Sequence, residues 1–318
     1  RQITLDYVIS KYSSKPIEKL NNEILQILRI GLYQLIFTPS VPDNAAVNES
    51  VILVKQIKKT SASGFVNAIL RNFIRDKKNI DYPKDRIRSL SIEYSCPEWL
   101  IRKWIKEYGE DSIVPLLANT VKKPSITVRV NTITTNMEEL INKFNKDEIE
   151  VTNSEQINNC IEIKSCGSIE QNDNFKQGLF HVQDLSSQLC CLALSPKKGE
   201  IVLDLCAAPG GKTFTLAEIM DNSGQIFAFD IHQKRVDMIK SGADRLKITI
   251  IKALIGNAKV FDAEIPFADK ILCDVPCAGL GVISKKPEIK YKNPDELKDL
   301  PKIQYEIIEN AVKYLKVG

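Results

Sequence analysis

Two short stretches of this 318-residue chain carry residue types that can do chemistry. The first is CAAPGGKT at 206–213, which directly follows the apolar run IVLDL at 201–205. Small residues and adjacent glycines let a backbone approach a ligand closely at the start of a helix. The second is LCDVPCAG at 272–279, where two cysteines surround an acid and a proline. A cysteine in that position could attack a substrate, assist its release, or simply pack.

Three interpretations of CAAPGGKT compete. A P-loop needs a glycine, four residues and then Gly-Lys-Thr; Gly211–Thr213 fits, but position 206 is cysteine. The dinucleotide pattern G-x-G-x-x-G fails because Gly210 and Gly211 are adjacent. A tight turn without a ligand is the third interpretation. Asp230 ends the apolar run QIFAFD, at a spacing where an acid accepts hydrogen bonds from ribose hydroxyls, which favours a nucleoside-bearing cofactor with few or no phosphates.

The elements around these stretches alternate between strand and helix from about residue 185 onward. Short apolar runs at 201–205, 225–230 and 270–275 are separated by helical patterns, which predicts a parallel sheet with crossover helices. In such doubly wound sheets, ligands bind beyond the carboxyl ends of the strands. Both chemical stretches and Asp230 fall at such ends.

The rest of the chain divides into two further regions. Apolar residues recur at helical spacing in 22–37 and 64–78, which predicts an all-helical N-terminal domain. Strand-like alternation at 125–131 and at 178–184, with a helical pattern between them, predicts a small α+β segment.

Composition excludes several classes of protein. With 43% hydrophobic and 26% charged residues the chain is an ordinary globular protein, and we find no run of eighteen apolar residues, so we predict no membrane span. The net charge of +4 permits an anionic partner without demanding one. None of the eight cysteines forms a C-x-x-C pair, and only His181 and His232 supply imidazole, so we predict free thiols in a reducing cytoplasm and no metal site. We also expect the protein to be a monomer.

These motifs together resemble the RNA cytosine-5 methyltransferases that use S-adenosylmethionine, and most closely the ribosomal RNA small-subunit methyltransferase B family (RsmB, also called Sun or Fmu). LRIGLYQLIF, AAVNESV and GFVNAILRNF resemble the family's NusB-like helical domain, and PEWLIRKW, VRVN and GLFHVQD resemble its connecting region. The resemblance implies a multidomain fold. It would consist of an all-α NusB-like RNA-binding domain (1–80), a connector with a small α+β segment (81–184) and an α/β Rossmann-like methyltransferase domain (185–318).

The resemblance also implies a cofactor, S-adenosylmethionine, and the residues that hold it. Asp230 would bind the ribose, and Asn257 falls where the family usually has an acidic residue near the adenine. Asp274 would lie between the cofactor and the target base. The implied cofactor-binding residues are Cys206, Ala207, Ala208, Pro209, Gly210, Gly211, Lys212, Asp230, Asn257 and Asp274.

In RNA enzymes of this family two cysteines share the chemistry, and the resemblance assigns Cys277 and Asp274 to the catalytic site. Cys277, in the Asp-x-Pro-Cys turn, would assist product release. The nucleophile lies in a Thr-Cys turn after the fifth strand, and these 318 residues contain no Thr-Cys pair. We therefore expect the native protein to continue beyond Gly318 with the attacking cysteine, and the methyltransferase domain within residues 185–318 to be incomplete and inactive. The alternative is that Cys277 itself attacks, as a Pro-Cys does in DNA cytosine methyltransferases.

Basic residues after the catalytic turn are candidates for RNA contact. Lys285, Lys286, Lys290 and Lys292 form a cluster in KKPEIKYK, and a solvated loop without a partner is the alternative interpretation. Arg129 matches the family's Arg-Val-Asn segment near the active cleft.

We therefore predict methylation of cytosine C5 in 16S ribosomal RNA through a covalent cysteine–C6 adduct. One alternative is a noncatalytic NusB-like RNA-binding protein, for which an intact cofactor loop would have no use. Others are a methyltransferase on another RNA such as tRNA, or one acting on a protein amide. The last is disfavoured because Asp-Val-Pro-Cys stands where Asn-Pro-Pro-Tyr is expected.

Overall fold

A computed structural model describes residues 1–122, 124–164 and 166–317. By its internal contacts the chain divides into two compact units. The first comprises Arg1–Lys123 with Gly279–Lys292, and the second comprises Pro124–Ala278 with Asn293–Gly318.

The first unit is helical. Its helices, in chain order, are α1 (Gln2–Tyr12), α2 (Asn22–Phe37), α3 (Asp43–Gln56), α4 (Ser63–Arg75), α5 (Arg86–Tyr94), α6 (Glu98–Tyr108) and α7 (Glu110–Val121). The pattern at 22–37 coincides with α2, which Asn21 caps by accepting hydrogen bonds from the backbone N–H groups of Glu23 and Ile24. The apolar faces of α1–α4 form one core, in which Leu28, Leu32 and Leu70 are fully buried.

A second core in the same unit joins α5–α7 to the segment Gly279–Lys292. Leu100, Ile101 and Leu117 are fully buried there, and Ile283 from the segment packs among them. Helix α1 also reaches this part of the chain, because the Thr4 hydroxyl donates to the Ile92 carbonyl at 2.5 Å. Because of these contacts, the first structural unit extends well past residue 80, where the predicted NusB-like domain ends.

The second unit begins with a small antiparallel sheet. Its elements are β1 (Ile126–Val130), α8 (Met137–Lys146), β2 (Val151–Asn153), β3 (Cys160–Ile163), α9 (Asp173–Lys176) and β4 (Phe180–Val182). The strand order is β2-β3-β1-β4, with β1 paired to both β3 and β4. Phe144 of α8 and Phe180 of β4 pack edge to face, with ring centroids 5.3 Å apart.

A parallel sheet follows in the same unit. Its elements are α10 (Leu185–Leu194), β5 (Ile201–Asp204), α11 (Gly211–Ile219), β6 (Gln225–Asp230), α12 (Gln233–Arg245), β7 (Ile251–Ile255), β8 (Lys270–Leu272) and α13 (Leu300–Ala311). All pairings in the order β7-β6-β5-β8 are parallel, so the carboxyl ends of these strands share one edge. Leu315 then forms an isolated parallel bridge to Ala268, just before β8.

The predicted fold class is confirmed in its three parts: N-terminal helices, a small α+β segment and a Rossmann-like parallel sheet. The strands predicted at 125–131, 178–184, 201–205 and 270–275 are all shorter in the structure, and the last of them bears on the site. The pattern at 270–275 gives a strand only over Lys270–Leu272, so Asp274 and Cys277 lie in irregular backbone beyond it. Among the described helices, none combines the length and the apolar character that crossing a bilayer requires.

Candidate cofactor and catalytic site

The loop between β5 and α11 is held against the neighbouring strand by its own backbone. The Ala207 N–H donates to the Phe229 carbonyl of β6 at 2.8 Å, and the Gly210 N–H donates back to the Ala207 carbonyl at 2.8 Å. Gly210 has a φ of 108°, in the left-handed region that glycine tolerates. The loop therefore turns sharply from strand to helix and brings bare backbone to the carboxyl edge of the sheet.

Replacing Gly210 by alanine should destabilise this loop. A Cβ atom at this position would meet the Phe214 ring at 2.3 Å, and the positive φ adds strain. We expect a loss of about 1–3 kcal/mol in the free energy of unfolding, measured by urea denaturation. Gly199→Ala is the matched control, since Gly199 also has a positive φ (85°) but has nothing within 4 Å of its Cβ position. Equal losses in the two variants would show that the contact with Phe214 contributes nothing.

Asp230 ends β6 with a buried carboxylate at the same edge. It is 7% exposed, and its Oδ1 accepts a hydrogen bond from the His232 N–H at 3.0 Å. The nearest cation, the Arg235 guanidinium, lies 3.7 Å from Oδ2. One carboxylate oxygen is thus anchored by backbone, while the other keeps hydrogen-bonding capacity for a ligand.

A cavity of about 380 Å³ lies at this edge of the sheet. It brings together five of the predicted cofactor-site residues and the predicted catalytic cysteine: Cys206, Ala208, Asp230, Asn257, Asp274 and Cys277. The other predicted residues of the loop, from Pro209 to Lys212 together with Ala207, do not line it. Sequence reasoning missed the apolar wall, which Ile303 and Ile307 of α13 supply. Their helical spacing is visible in the sequence, but nothing there places α13 over this edge.

Lys212 and Asp274 form an ion pair beside this cavity. The Lys212 Nζ atom lies 2.5 Å from Asp274 Oδ2, and the lysine side chain is only 18% exposed. Burial by itself would lower the pKa of Lys212, but the hydrogen bond and charge of Asp274 outweigh it and raise that pKa. The lysine that resembles a P-loop lysine is therefore committed to a carboxylate and fixes the position of Asp274.

Asn257 uses its side chain in a local turn. Its Oδ1 atom accepts a hydrogen bond from the Lys259 N–H at 3.1 Å, and its carbonyl accepts one from the Val260 N–H at 2.9 Å. This is an Asx turn, which asparagine favours. The oxygen predicted to meet an exocyclic amine thus already has one donor, with a second lone pair remaining.

Three cysteines lie near the carboxyl edge, and they differ in exposure. Cys277 is exposed and lines the cavity, in a turn held by α13 because the Gln304 side-chain amide donates to the Pro276 carbonyl at 2.8 Å. Burial raises the pKa of Cys206 to about 12 and that of Cys273 to about 11. Both of these half-buried groups are therefore thiols at neutral pH, and a thiolate is the form that attacks.

Asp204, immediately before the cofactor loop, is a buried acid that the sequence did not single out. Its Oδ2 accepts the Thr213 hydroxyl at 2.7 Å, which ties the end of β5 to the first turn of α11. Burial raises the pKa of Asp204 to about 7, against the lowering effect of this hydrogen bond.

The Asp204 pKa predicts a pH-dependent stability. Between about pH 4 and pH 7, Asp204 keeps its proton in the folded state but has released it in the unfolded state. The contribution of Asp204 to the free energy of unfolding is therefore present at low pH and is lost as pH rises. Asp204→Asn lacks the titration. We expect the unfolding free energy of the parent to fall relative to that of the variant across this window, measured by urea denaturation at a series of pH values. Parallel pH profiles for the two proteins would contradict the assignment.

Arg129, predicted to contact RNA, is instead 5% exposed inside the second unit. Its Nε atom donates to Glu218 Oε2 of α11 at 2.8 Å, where the Glu218 side chain is 1% exposed. His181 Nδ1 lies 3.4 Å from Glu218 Oε1, and burial followed by the charge of Arg129 lowers the pKa of His181 to about 3, which keeps it neutral. The Arg129–Glu218 ion pair links β1 to α11 and leaves the Arg129 guanidinium little access to RNA.

Thr215 extends this buried network along α11. Its hydroxyl donates to Gln183 Oε1 at 2.7 Å and lies 3.3 Å from His181 Nε2. A sequence signal could have revealed this network. Arg129 stands in an otherwise apolar strand and Glu218 in a largely apolar helix, and buried charges need partners.

The predicted basic cluster is divided in the structure. Lys285, Lys286 and Lys292 are exposed, whereas Lys290 is 2% exposed and its Nζ atom lies 3.4 Å from the Tyr94 carbonyl. Burial lowers the pKa of Lys290. The exposed three present charge on the surface, and Lys290 serves the packing of this segment on α5. Among the described residues, no group of three or more His, Cys, Asp or Glu side chains is arranged to hold a metal ion.

Comparison with known proteins identifies the family. Residues 191–318 match the family model of 16S rRNA methyltransferase RsmB/F, residues 1–75 match the NusB family, and residues 96–170 match the ferredoxin-like domain of RsmF/B-like methyltransferases. The probable ribosomal RNA small subunit methyltransferase B of Bacillus subtilis (strain 168) is 36% identical over 323 residues, which cover 100% of this chain and 71% of that protein. The chain belongs to the RsmB/F family of 16S rRNA methyltransferases.

Other RsmB/F proteins and solved structures agree. The probable methyltransferase B of Synechocystis sp. (strain ATCC 27184 / PCC 6803 / Kazusa) is 32% identical, covering 100% of this chain and 72% of that protein. The crystal structure of PH0851 superposes with a TM-score of 0.84 at 29% identity, covering 99% of this chain and 71% of that one. NSun6 from Pyrococcus horikoshii, solved with SFG, has a TM-score of 0.63 at 19% identity, covering 69% and 80%, and shows the shared fold alone. The predicted family, with its NusB-like and Rossmann-like parts, is thus confirmed.

Proposed function

We propose that this RsmB/F-family protein methylates C5 of a cytosine in 16S ribosomal RNA, using S-adenosylmethionine and a covalent cysteine–C6 adduct. The observation that supports this most is the cavity at the carboxyl edge of the parallel sheet. Asp230, Asp274 and Cys277 line this one space, so a ribose-binding acid, a polar group and a thiol face the same ligand volume.

The residues present fit S-adenosylmethionine, which when bound supplies the methyl group. The Asp230 carboxylate keeps one oxygen available for ribose hydroxyls, as acids at the end of the second strand do in such folds. Cys206 and Ala208 of the cofactor loop line the cavity, and Lys212, at the end of this loop, is paired with Asp274 and offers no free cation for phosphates. That NSun6, a protein of the same fold, was solved with SFG, an analogue of S-adenosylmethionine, adds support for this choice.

The cysteine chemistry follows from the electronics of cytosine. C5 is a poor nucleophile until a thiolate adds to C6, because that addition shifts the ring electrons toward C5. After the methyl group is on C5, a base removes the C5 proton, the electrons of that C–H bond restore the double bond, and the thiolate leaves. In this division of labour we assign product release to Cys277, and a second cysteine makes the attack.

Asp274 and Lys212 act together in this proposal. The 2.5 Å contact holds the Asp274 carboxylate at the cavity wall, with half of its side chain exposed to the ligand space. A fixed carboxylate there can accept a hydrogen bond from the exocyclic amine of cytosine. Lys212 is thus a positioning residue in this proposal.

Replacement of Cys277 by alanine tests the division of labour. In the full-length gene product we expect Cys277→Ala to trap a covalent adduct with small-subunit rRNA, because attack and methylation proceed while release slows by about 10²-fold or more. The adduct is measured as radiolabelled RNA that comigrates with protein on a denaturing gel. Cys273→Ala is the control, since Cys273 is half-buried one residue before Asp274. If Cys277→Ala abolishes the adduct instead, Cys277 is the nucleophile.

We further propose the functional division 1–80, 81–184 and 185–318, ribosomal RNA as the partner and the cytoplasm as the place of action. The exposed Lys285, Lys286 and Lys292 are proposed RNA contacts. Lys290 and Arg129 are left out of this surface, because both are buried and bonded within their own units.

A further inference from the structure

A second cavity lies wholly within the first, helical unit and involves none of the residues assigned above. Its volume is about 310 Å³, within the range of small-ligand sites. The end of α6, the last turns of α7 and the 3-10 turn Leu280–Val282 form its walls. The lining side chains that matter here are Trp104, Tyr108, Asn119, Thr120 and Ser284.

Two aromatic rings of α6 meet at this cavity. Trp104 and Tyr108 are four residues apart, which puts them on one face of the helix. Trp104 is 6% exposed, whereas Tyr108 is 58% exposed. The exposed Tyr108 ring offers an apolar face on which a planar ligand can stack.

Polar groups complete the lining. Asn119 is exposed on α7, and Ser284 also lines the cavity. The Thr120 hydroxyl donates to the Leu117 carbonyl at 2.7 Å, which leaves its oxygen as an acceptor for a ligand. An aliphatic ligand would leave these groups unpaired, so the lining favours a planar ligand that also forms hydrogen bonds.

Basic residues adjoin the cavity lining along the chain and could contact an anionic group of a ligand. Lys285 and Lys286, both exposed, directly follow Ser284. Of the three acidic residues at the corner between α6 and α7, Glu107 is paired with Lys103 and Glu110 with Arg86, and Asp111 is exposed. Stacking surface, hydrogen-bonding groups and adjacent cations are the combination by which proteins bind single-stranded nucleic acid.

We propose that this cavity binds one unpaired nucleobase of the RNA substrate. Tyr108 stacks on the base and Lys286 contacts the adjoining phosphate. The segment that carries Leu280 and Ser284 begins two residues after Cys277, so the same stretch of chain serves the catalytic turn and this cavity. This inference rests on the proposed RNA methyltransferase function, because the cavity would be a second attachment point for the same RNA substrate.

Tryptophan fluorescence and RNA affinity test the proposal in the full-length protein. The 318 residues contain two tryptophans, so Trp99→Phe leaves Trp104 as their sole reporter. We expect a short single-stranded RNA to quench Trp104. We expect Tyr108→Ala to raise the RNA Kd by roughly tenfold or more, as loss of one base stack does, while Tyr108→Phe keeps the parent value. Lys286→Ala should reduce the salt dependence of binding by about one phosphate contact.

The outcomes separate this inference from the proposed function. If the parent methylates rRNA but Tyr108→Ala binds RNA as the parent does, the cavity is not a base site and the methyltransferase proposal stands. If the parent binds S-adenosylmethionine but neither binds nor methylates RNA, both proposals fail. Unchanged S-adenosylmethionine binding and thermal stability in Tyr108→Ala, together with weaker RNA binding, support the base site.

Discussion

Replacing Glu218 by alanine should lower the free energy of unfolding by about 3–5 kcal/mol, the largest stability effect we expect in this chain. The Arg129 guanidinium would lose the carboxylate 2.8 Å away and remain charged in a site where its side chain is 6% exposed. Burial raises the pKa of Glu218, and Arg129 opposes this by stabilising the charged form. Urea denaturation, with Tm as a second readout, measures the loss.

A double variant distinguishes the cost of leaving one charge unpaired from the cost of losing buried side-chain volume. Arg129→Met with Glu218→Leu removes both charges and keeps apolar volume, so most of the stability should return. Glu218→Gln keeps one hydrogen-bond acceptor and should lose less than alanine does. A loss below about 1 kcal/mol in Glu218→Ala would show that the pair is not the link between β1 and α11 that its geometry indicates.

Replacing Asp230 by alanine should weaken S-adenosylmethionine binding by about 10- to 100-fold, which is the effect of losing a charged hydrogen-bond acceptor in a buried site. Asp230 is 7% exposed and lines the 380 Å³ cavity, and its second oxygen, 3.7 Å from the Arg235 guanidinium, can still accept a hydrogen bond there. Isothermal titration calorimetry with S-adenosylmethionine measures the change.

Asp237→Ala is the control for this substitution, because Asp237 is exposed on α12 and its carboxylate accepts a hydrogen bond from the Gln233 side-chain amide of the same helix. It should bind S-adenosylmethionine as the parent does. If Asp230→Ala also binds normally, the cofactor does not use this cavity as proposed. If the parent itself does not bind at saturating concentrations, the noncatalytic RNA-binding alternative replaces the enzyme.

Local patterns predicted the elements of the fold well. The helix at 22–37 and the strand at 225–230 have the predicted bounds, because helical and alternating apolar periodicity is a property of neighbouring residues. The strand predicted at 270–275 ends at Leu272, and the Asp-Val-Pro-Cys residues that follow are held by Gln304 of α13. That contact is not visible in the local pattern.

The candidate site was predictable where it depends on strand ends. Asp230 ends β6, and Asp274 and Cys277 follow β8, the two strands on either side of β5 in the parallel sheet, so they had to lie at one edge of it. Arg129 and Lys290 were not predictable in the same way. Their partners, Glu218 and the Tyr94 carbonyl, are 89 and 196 residues away along the chain. Local sequence patterns do not predict which distant group will pair with a charged side chain.

The most direct test of the central proposal uses 16S rRNA that carries tritium at C5 of its cytosines. Methylation at C5 must expel that tritium, whereas methylation at any other atom leaves it in the RNA. With the full-length protein and S-adenosylmethionine, we predict tritium release equal in amount to methyl incorporation, with tRNA giving neither. Methyl incorporation into 16S rRNA without tritium release would contradict cytosine-5 methylation.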